Sequence, residues 1–361
     1  MDIIYDKDRH LFVLSENTDI NIEIPFPFID NFDGKFFDIP DISKYEIKDY
    51  YKIDCGENDI YTIYVNKNLA SRENGRVGWA IPYISLISTE HDYVQKDYFA
   101  EYAFTLYYKV FRDTEFQKVL LENNGEFVPS FQSYFCDEGA STRIAFIAEK
   151  SNFTCPITFD AFDYSALQYG FSPIKRLQDN SNKKEITSGK LKLKRASNDI
   201  YTTNQQYNDE YYKNFIEYIA NETNTNVRFY HLYQIIETII NESLVKSLTS
   251  LIEKAKAGIV SVRDFDTYIK NNTEFDRINK VFSAAGINNS DYANILNEKC
   301  NKYLSSKGHD VVTFPKCIYS FRNQMVHRFR LVIGDEDVVS EINDIFEMLL
   351  LELLINYKSE M

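Results

Sequence analysis

Tyr319-Ser320-Phe321-Arg322-Asn323-Gln324-Met325-Val326-His327-Arg328 lies late in a stretch whose apolar residues recur every three or four positions. The spacing predicts a helix. At 100° per residue, Asn323 and His327 share nearly one face, while Arg322 stands roughly 140° from His327. Pro315 suits a first helical turn and Thr313 can cap it. Gly334 marks a break further on.

Working outward, the helical period extends back to about Asp209. Phe229, Leu232, Tyr233, Ile236, Ile239, Ile240, Leu244, Leu248 and Leu251 predict one long amphipathic helix, with capping side chains at 224–226. Shorter helices are expected over Phe265 to Asn271, Glu274 to Ala284 and Asp291 to Leu304. Ser290 can cap the last of these, and Gly286 lies beyond the end of the one before. Val338, Val339, Ile342, Ile345, Phe346, Leu349, Leu350, Leu353 and Leu354 give the closing helix, with Asp335 and Glu336 at its positive end. This half is an all-α unit of about five helices.

The first half reads differently. Ile60 to Val65, Thr142 to Ile147 and Phe153 to Phe162 carry the β-branched and aromatic content of strands. Asp97 to Arg112 is long enough for a helix, yet its Tyr and Phe content also suits strands; it is read as a helix. Lys190-Leu191-Lys192-Leu193-Lys194-Arg195 alternates basic and apolar residues, so a strand there buries one face and leaves the other cationic. Lysines also discourage pairing at a solvated edge; the other reading of Lys190, Lys192, Lys194 and Arg195 is a nucleic-acid or acidic-partner contact. The expected fold is α+β. A β-rich mixed domain occupies residues 1–198 and a helical domain residues 205–361, with the boundary between Arg195 and Asp209.

Composition narrows the function classes. A net charge of −14 argues against broad, nonspecific coating of nucleic acid. The deficit is uneven: residues 1–200 hold 32 acids and 23 bases, and residues 201–361 hold 22 and 17. Arg322, Arg328 and Arg330 cluster around the quoted stretch. Cys55, Cys136, Cys155, Cys300 and Cys317 are odd in number and lack metal-ligand spacing, which reads as reduced, mostly buried thiols of a cytoplasmic protein. The charged start has no signal-peptide core, and Glu347 and Glu352 interrupt the final Leu-rich run, so no membrane span is expected.

Arg322 and His327, with Asn323 directly after the arginine, resemble the Arg-x4–6-His signature of HEPN domains, a family rich in metal-independent RNases. An Arg-Asn-x3-His run arises by chance only roughly 0.02 times in a chain of this make-up. The resemblance covers about Asp209 to Tyr357. It implies a HEPN-like bundle, RNA as substrate, no cofactor, and a homodimer whose paired motifs line one cleft. It further implies a toxin or antiphage-defence effector, with the first half sensing a trigger, engaging a regulatory protein or selecting RNA. Phe329 stands where HEPN toxins paired with nucleotidyltransferases carry tyrosine, so silencing by nucleotide attachment is not expected there.

The chemistry suits these side chains. The ribose 2′-hydroxyl is a built-in nucleophile, so cleavage needs a base, an acid and a cation for the charge on phosphorus. His327 can serve as base or acid. Arg322 offers a fixed charge and a planar fork for phosphate oxygens, and the Asn323 amide can orient the histidine or a phosphate. Arg328 and Arg330 are expected to contact RNA. Two plainer readings stand beside this one. His327 can be a hydrogen-bonded core or interface histidine, and Arg322 can pair with an acid such as Glu237 or Glu341. A noncatalytic HEPN-type interaction or ligand-binding module is the alternative function.

Overall fold

The computed structural model describes residues 1–16, 20–28, 40–53, 59–65, 75–136, 141–153, 158–177, 180–196, 211, 213–261, 263, 265, 268, 273–327 and 334–357. The chain is mixed α+β, sheet-rich first and helical afterwards. It divides into two compact units. The first comprises Met1–Asp163, Phe171–Lys175 and Glu185–Lys194. The second comprises Tyr164–Gly170, Arg176–Lys184 and Arg195–Met361. Two short segments of the first half in sequence thus belong with the helices.

In the first unit, β1 (Asp2–Asp6), β2 (Leu11–Glu16) and β3 (Ile20–Pro25) form an antiparallel meander. A six-stranded sheet follows. Its strands are β4 (Tyr45–Ile53), β5 (Tyr61–Val65), β6 (Arg76–Pro82), β7 (Ser141–Glu149), β8 (Phe171–Ser172) and β9 (Lys190–Leu193). Their order is β8-β4-β7-β6-β5-β9, antiparallel except for the β5–β9 pair. The central strands read as continuous apolar runs because both faces are covered. Ile144 to Ala148 are all fully buried. Gly78 permits the closeness of β6 and β7: a Cβ there would lie 1.9 Å from the Ile147 carbonyl oxygen.

Helix α1 (Asp97–Phe111) is buried over most of its surface and packs against both sheets, with Glu101 and Lys109 on its less buried face. Phe104 meets Tyr5, Phe12 and Phe26 from the meander, and Tyr102 meets Tyr45 on β4. Helices α2 (Thr114–Glu122) and α3 (Phe127–Phe135) follow. Phe127, Phe131 and Phe135 recur at four-residue spacing, and Phe135 stacks on Tyr83 at 4.5 Å. The strand expected over Phe153 to Phe162 is corrected. Residues 159–162 form a 3-10 turn that leads into α4 (Asp163–Leu167), and 154–157 lie outside the described residues. Phe159 and Phe162 are fully buried. Their apolar content reflects core packing rather than a strand.

The second unit is built on α5 (Thr225–Lys256), α6 (Glu274–Ala284), α7 (Asp291–Ser306), α8 (Lys316–His327) and α9 (Glu336–Asn356). Asn224 caps α5 through the amides of Asn226 and Val227, and Ser290 caps α7 through that of Ala293. Thr273 and Asp276 form a capping box at α6. Gly286 has φ +69°, as a helix stop requires. A cis peptide joins Phe314 to Pro315 just before α8. Thr313 there accepts from the Cys317 amide through its backbone carbonyl. The helix expected at 265–271 falls mostly outside the described residues.

Helix α9 is buried around most of its circumference. Its buried acid, Glu347, receives Arg176 at 2.7 Å and Arg228 at 2.5 Å. Arg228 also reaches Asp344 at 2.9 Å. Asn180 donates to the Asp344 carbonyl at 3.0 Å. These bonds tie the 176–184 segment to α9. No described helix is long and apolar enough to cross a membrane.

Candidate functional site

Helix α8 carries the quoted motif. Phe321 and Met325 are fully buried and fix the helix against the unit's interior. Phe321 packs edge-on to Phe229 of α5 at 5.0 Å and to Tyr303 of α7 at 5.2 Å. With that face committed, Arg322 and Asn323 are half-buried beside α5.

The Arg322 guanidinium is held on three sides. One terminal nitrogen donates to Asn323 Oδ1 at 3.2 Å, and the other to Glu237 Oε1 at 3.4 Å. The guanidinium carbon lies 5.5 Å from the centre of the Tyr233 ring. The Tyr233 hydroxyl donates in turn to Glu274 Oε1 at 3.2 Å, at the start of α6. Burial, with help from the Glu274 charge, pushes the Tyr233 phenol up, so it stays protonated at neutral pH. One turn before Tyr233 lies Tyr230. Its hydroxyl donates to the Met325 carbonyl at 3.1 Å and pins the last turn of α8 to α5. Burial raises the Tyr230 phenol too, against the lowering field of Arg322.

Asn323 therefore orients Arg322. Of the two acids expected as arginine partners, Glu237 is found there, whereas Glu341 pairs with Lys299 at 2.8 Å. His327 is the last residue of α8, and its side chain lies outside the described set, as do Arg328 and Arg330. Gln324 is buried, with its Oε1 3.1 Å from His309 Nε2. Tyr230, Tyr233 and Glu274 were not anticipated. The signal on α5 was the spacing of Tyr230, Tyr233 and Glu237, steps of three and four that share one face. Nothing local in the sequence points to Glu274, which arrives from another helix.

The other predicted contacts lie on β9. Lys190, Lys192 and Lys194 are exposed, while Leu191 and Leu193 are buried, which is the alternation expected of the strand. Arg195 is half-buried and belongs to the second unit, so the basic run is divided between the units. Cys300 and Cys317 are buried free thiols, and Cys136 is half-buried; Cys55 and Cys155 lie outside the described residues. Among the described residues, no group of three His, Cys, Asp or Glu side chains is placed to hold a metal ion.

Chemically, the Arg322 site offers one fixed cation on a rigid aromatic and amide support, paired with a partly exposed carboxylate. A phosphate oxygen can take the place of the Glu237 carboxylate as the acceptor. No family model matches this chain, and neither a curated protein nor a solved structure matches it.

Proposed function

We propose that the chain is an endoribonuclease of the HEPN type, acting without a metal as a toxin or antiphage-defence effector. The observation that carries this is the placement of Arg322, Asn323 and His327 on one helix of an all-α unit, with the arginine presented by Tyr233 and Asn323. Arg322 stabilises charge on the scissile phosphate. His327 moves the proton to or from the reacting oxygens. Attack by the 2′-hydroxyl leaves a 2′,3′-cyclic phosphate and a 5′-hydroxyl. The working form is a homodimer through the helical unit. Its face includes the exposed Val326. It also takes in part of α5 around Ile236, whose own side chain is fully buried within the unit.

The test is cleavage of total RNA by the full chain, with and without EDTA, alongside Arg322→Ala and His327→Ala. Cleavage in EDTA is expected, with His327→Ala slower by on the order of 10²–10⁴ and Arg322→Ala by on the order of 10²–10³. Activity that needs added Mg²⁺, or that survives both substitutions, contradicts the proposal.

One observation favours a second reading. Arg322 already has an acidic partner in Glu237, as a noncatalytic HEPN-type scaffold would provide. In that case no RNA is cut under any condition.

A further inference from the structure

The first unit carries three cation–tyrosine pairs around one end of its larger sheet. Lys190 on β9 lies over the Tyr64 ring of β5 at 5.9 Å. Arg76, opening β6, lies over Tyr98 at the start of α1 at 4.1 Å. Lys96, just before α1, lies over Tyr93 at 5.1 Å.

The strand register makes these neighbours. Tyr64 pairs with Arg76 on one side and Lys192 on the other, and Thr62 pairs with Lys190. A β-bulge between Ile63 and Tyr64 interrupts the β5–β6 ladder at this point. The start of β9 is fixed against the third pair. Thr62 Oγ1 donates to the Gly189 carbonyl at 3.1 Å. Gly189 itself has φ +65°, and a Cβ there would stand 3.2 Å from the Tyr93 hydroxyl. Burial, with the nearby Asp59 and Asp92, pushes the Tyr93 phenol up, so it stays neutral.

We propose that this shelf binds a single strand of RNA, its bases on the tyrosine and arginine planes and its phosphates on the lysines. Unpaired bases stack on aromatic and guanidinium faces whatever their identity, and cations track the backbone. Tyr98 is 42% exposed, so its ring is within reach of a base. Alternate lysines along β9 repeat every ~6.6 Å, comparable to successive phosphates of an extended strand. Edge protection accounts for Lys190 and Lys192 on an outer strand. It gives no reason for Arg76 on β6 to sit over Tyr98 on α1, or for Lys96 to sit over Tyr93 in the turn before α1. Binding at a local group of cations is compatible with a chain whose net charge is −14.

This inference rests on RNA being the substrate class, and its test is kept separate from cleavage. A fluorescent 2′-O-methyl oligouridine cannot be cut by 2′-hydroxyl attack, so anisotropy with the full chain reads binding alone. Tyr98→Ala is expected to weaken binding about 5- to 150-fold. Lys190→Gln combined with Lys192→Gln should flatten the dependence on log salt by about 0.7 per cation removed. Both changes are at exposed positions, and circular dichroism checks that the variants fold. The proposal is overturned if the wild type does not bind the strand, or if neither variant differs from it. It is equally overturned if a duplex of the same length, or an acidic peptide, binds more tightly. Loss of cleavage in His327→Ala with strand binding intact leaves the shelf standing; cleavage through Arg322 and His327 without strand binding removes it.

Discussion

Glu237 and Arg322 face each other across α5 and α8 at 3.4 Å, and the acid is the more exposed of the two. A half-exposed pair of this length adds little to stability. Its consequence is for binding: a phosphate must displace a carboxylate before it reaches the guanidinium. Glu237→Gln keeps the shape and an acceptor oxygen but removes the charge. Under the ribonuclease proposal, this variant binds and cuts RNA more readily, with kcat/KM raised roughly 5-fold or more, an effect of about 1 kcal/mol. Steady-state kinetics on a short RNA decides it. A fall in kcat comparable to that of Arg322→Ala would show instead that Glu237 takes part in the chemistry. Glu237 was legible in the sequence as a possible arginine partner. The Tyr233 support was not, because in a linear reading the same spacing of apolar positions describes core packing equally well.

At the scale of elements, helices and their ends were the most legible part. A 3.6-residue period and a capping side chain are local signals, and Asn224 and Ser290 cap where the pattern placed them. The strand expected over 153–162 failed because aromatic content describes a buried turn as well as it does a strand. The parallel pairing of β9 with β5 joins residues more than 120 positions apart and has no local signature. Glu347 shows the same limit. In the sequence it is a charge interrupting a leucine-rich helix; in the fold it is buried between Arg176 and Arg228. Burial alone would push its carboxyl up, but the two arginine charges and their hydrogen bonds outweigh it and hold it below the usual range. Its neighbour Asp344 goes the other way, raised by burial against the Arg228 charge. For Glu347 the sign is that of a depressed acid. Its stabilisation is fully present above the unfolded value of about 4.3, and is lost as pH falls through the lower folded value. Glu347→Gln should lose about 3–5 kcal/mol at neutral pH, since it leaves the buried Arg176 without its carboxylate and Arg228 with Asp344 alone. Urea midpoints across pH should show the gap to wild type narrowing below about pH 4. A gap that stays constant into strong acid would mean that the network contributes through packing rather than charge.

The whole molecule raises the question of how one site is assembled. Contacts place 164–170 and 176–184 with the helices, so a fragment beginning at residue 205 would leave Glu347 without Arg176. Functional tests therefore belong on the full chain. On one regular helix, Arg322 and His327 diverge by roughly 140°. Arg322 is also turned toward Tyr233 and Glu237 on α5, which fixes its direction. Under the homodimer proposal, a second copy related by a two-fold axis supplies the convergence that one helix lacks, because the same face meets itself. Val326, 41% exposed and next to His327, stands on that face. Two results are expected together. Val326→Asp should shift the chain to a monomer in sedimentation and remove RNA cleavage. Arg322→Ala and His327→Ala protomers, inactive alone, should recover activity when unfolded together and refolded, since roughly half of randomly paired dimers then hold one intact arginine and one intact histidine. The recovered rate should depend on the mixing ratio, with its maximum at equal amounts. A wild type that cuts RNA as a monomer at every concentration, or mixtures no more active than their parts, would place both groups within a single chain and require His327 to reach Arg322 across its own helix.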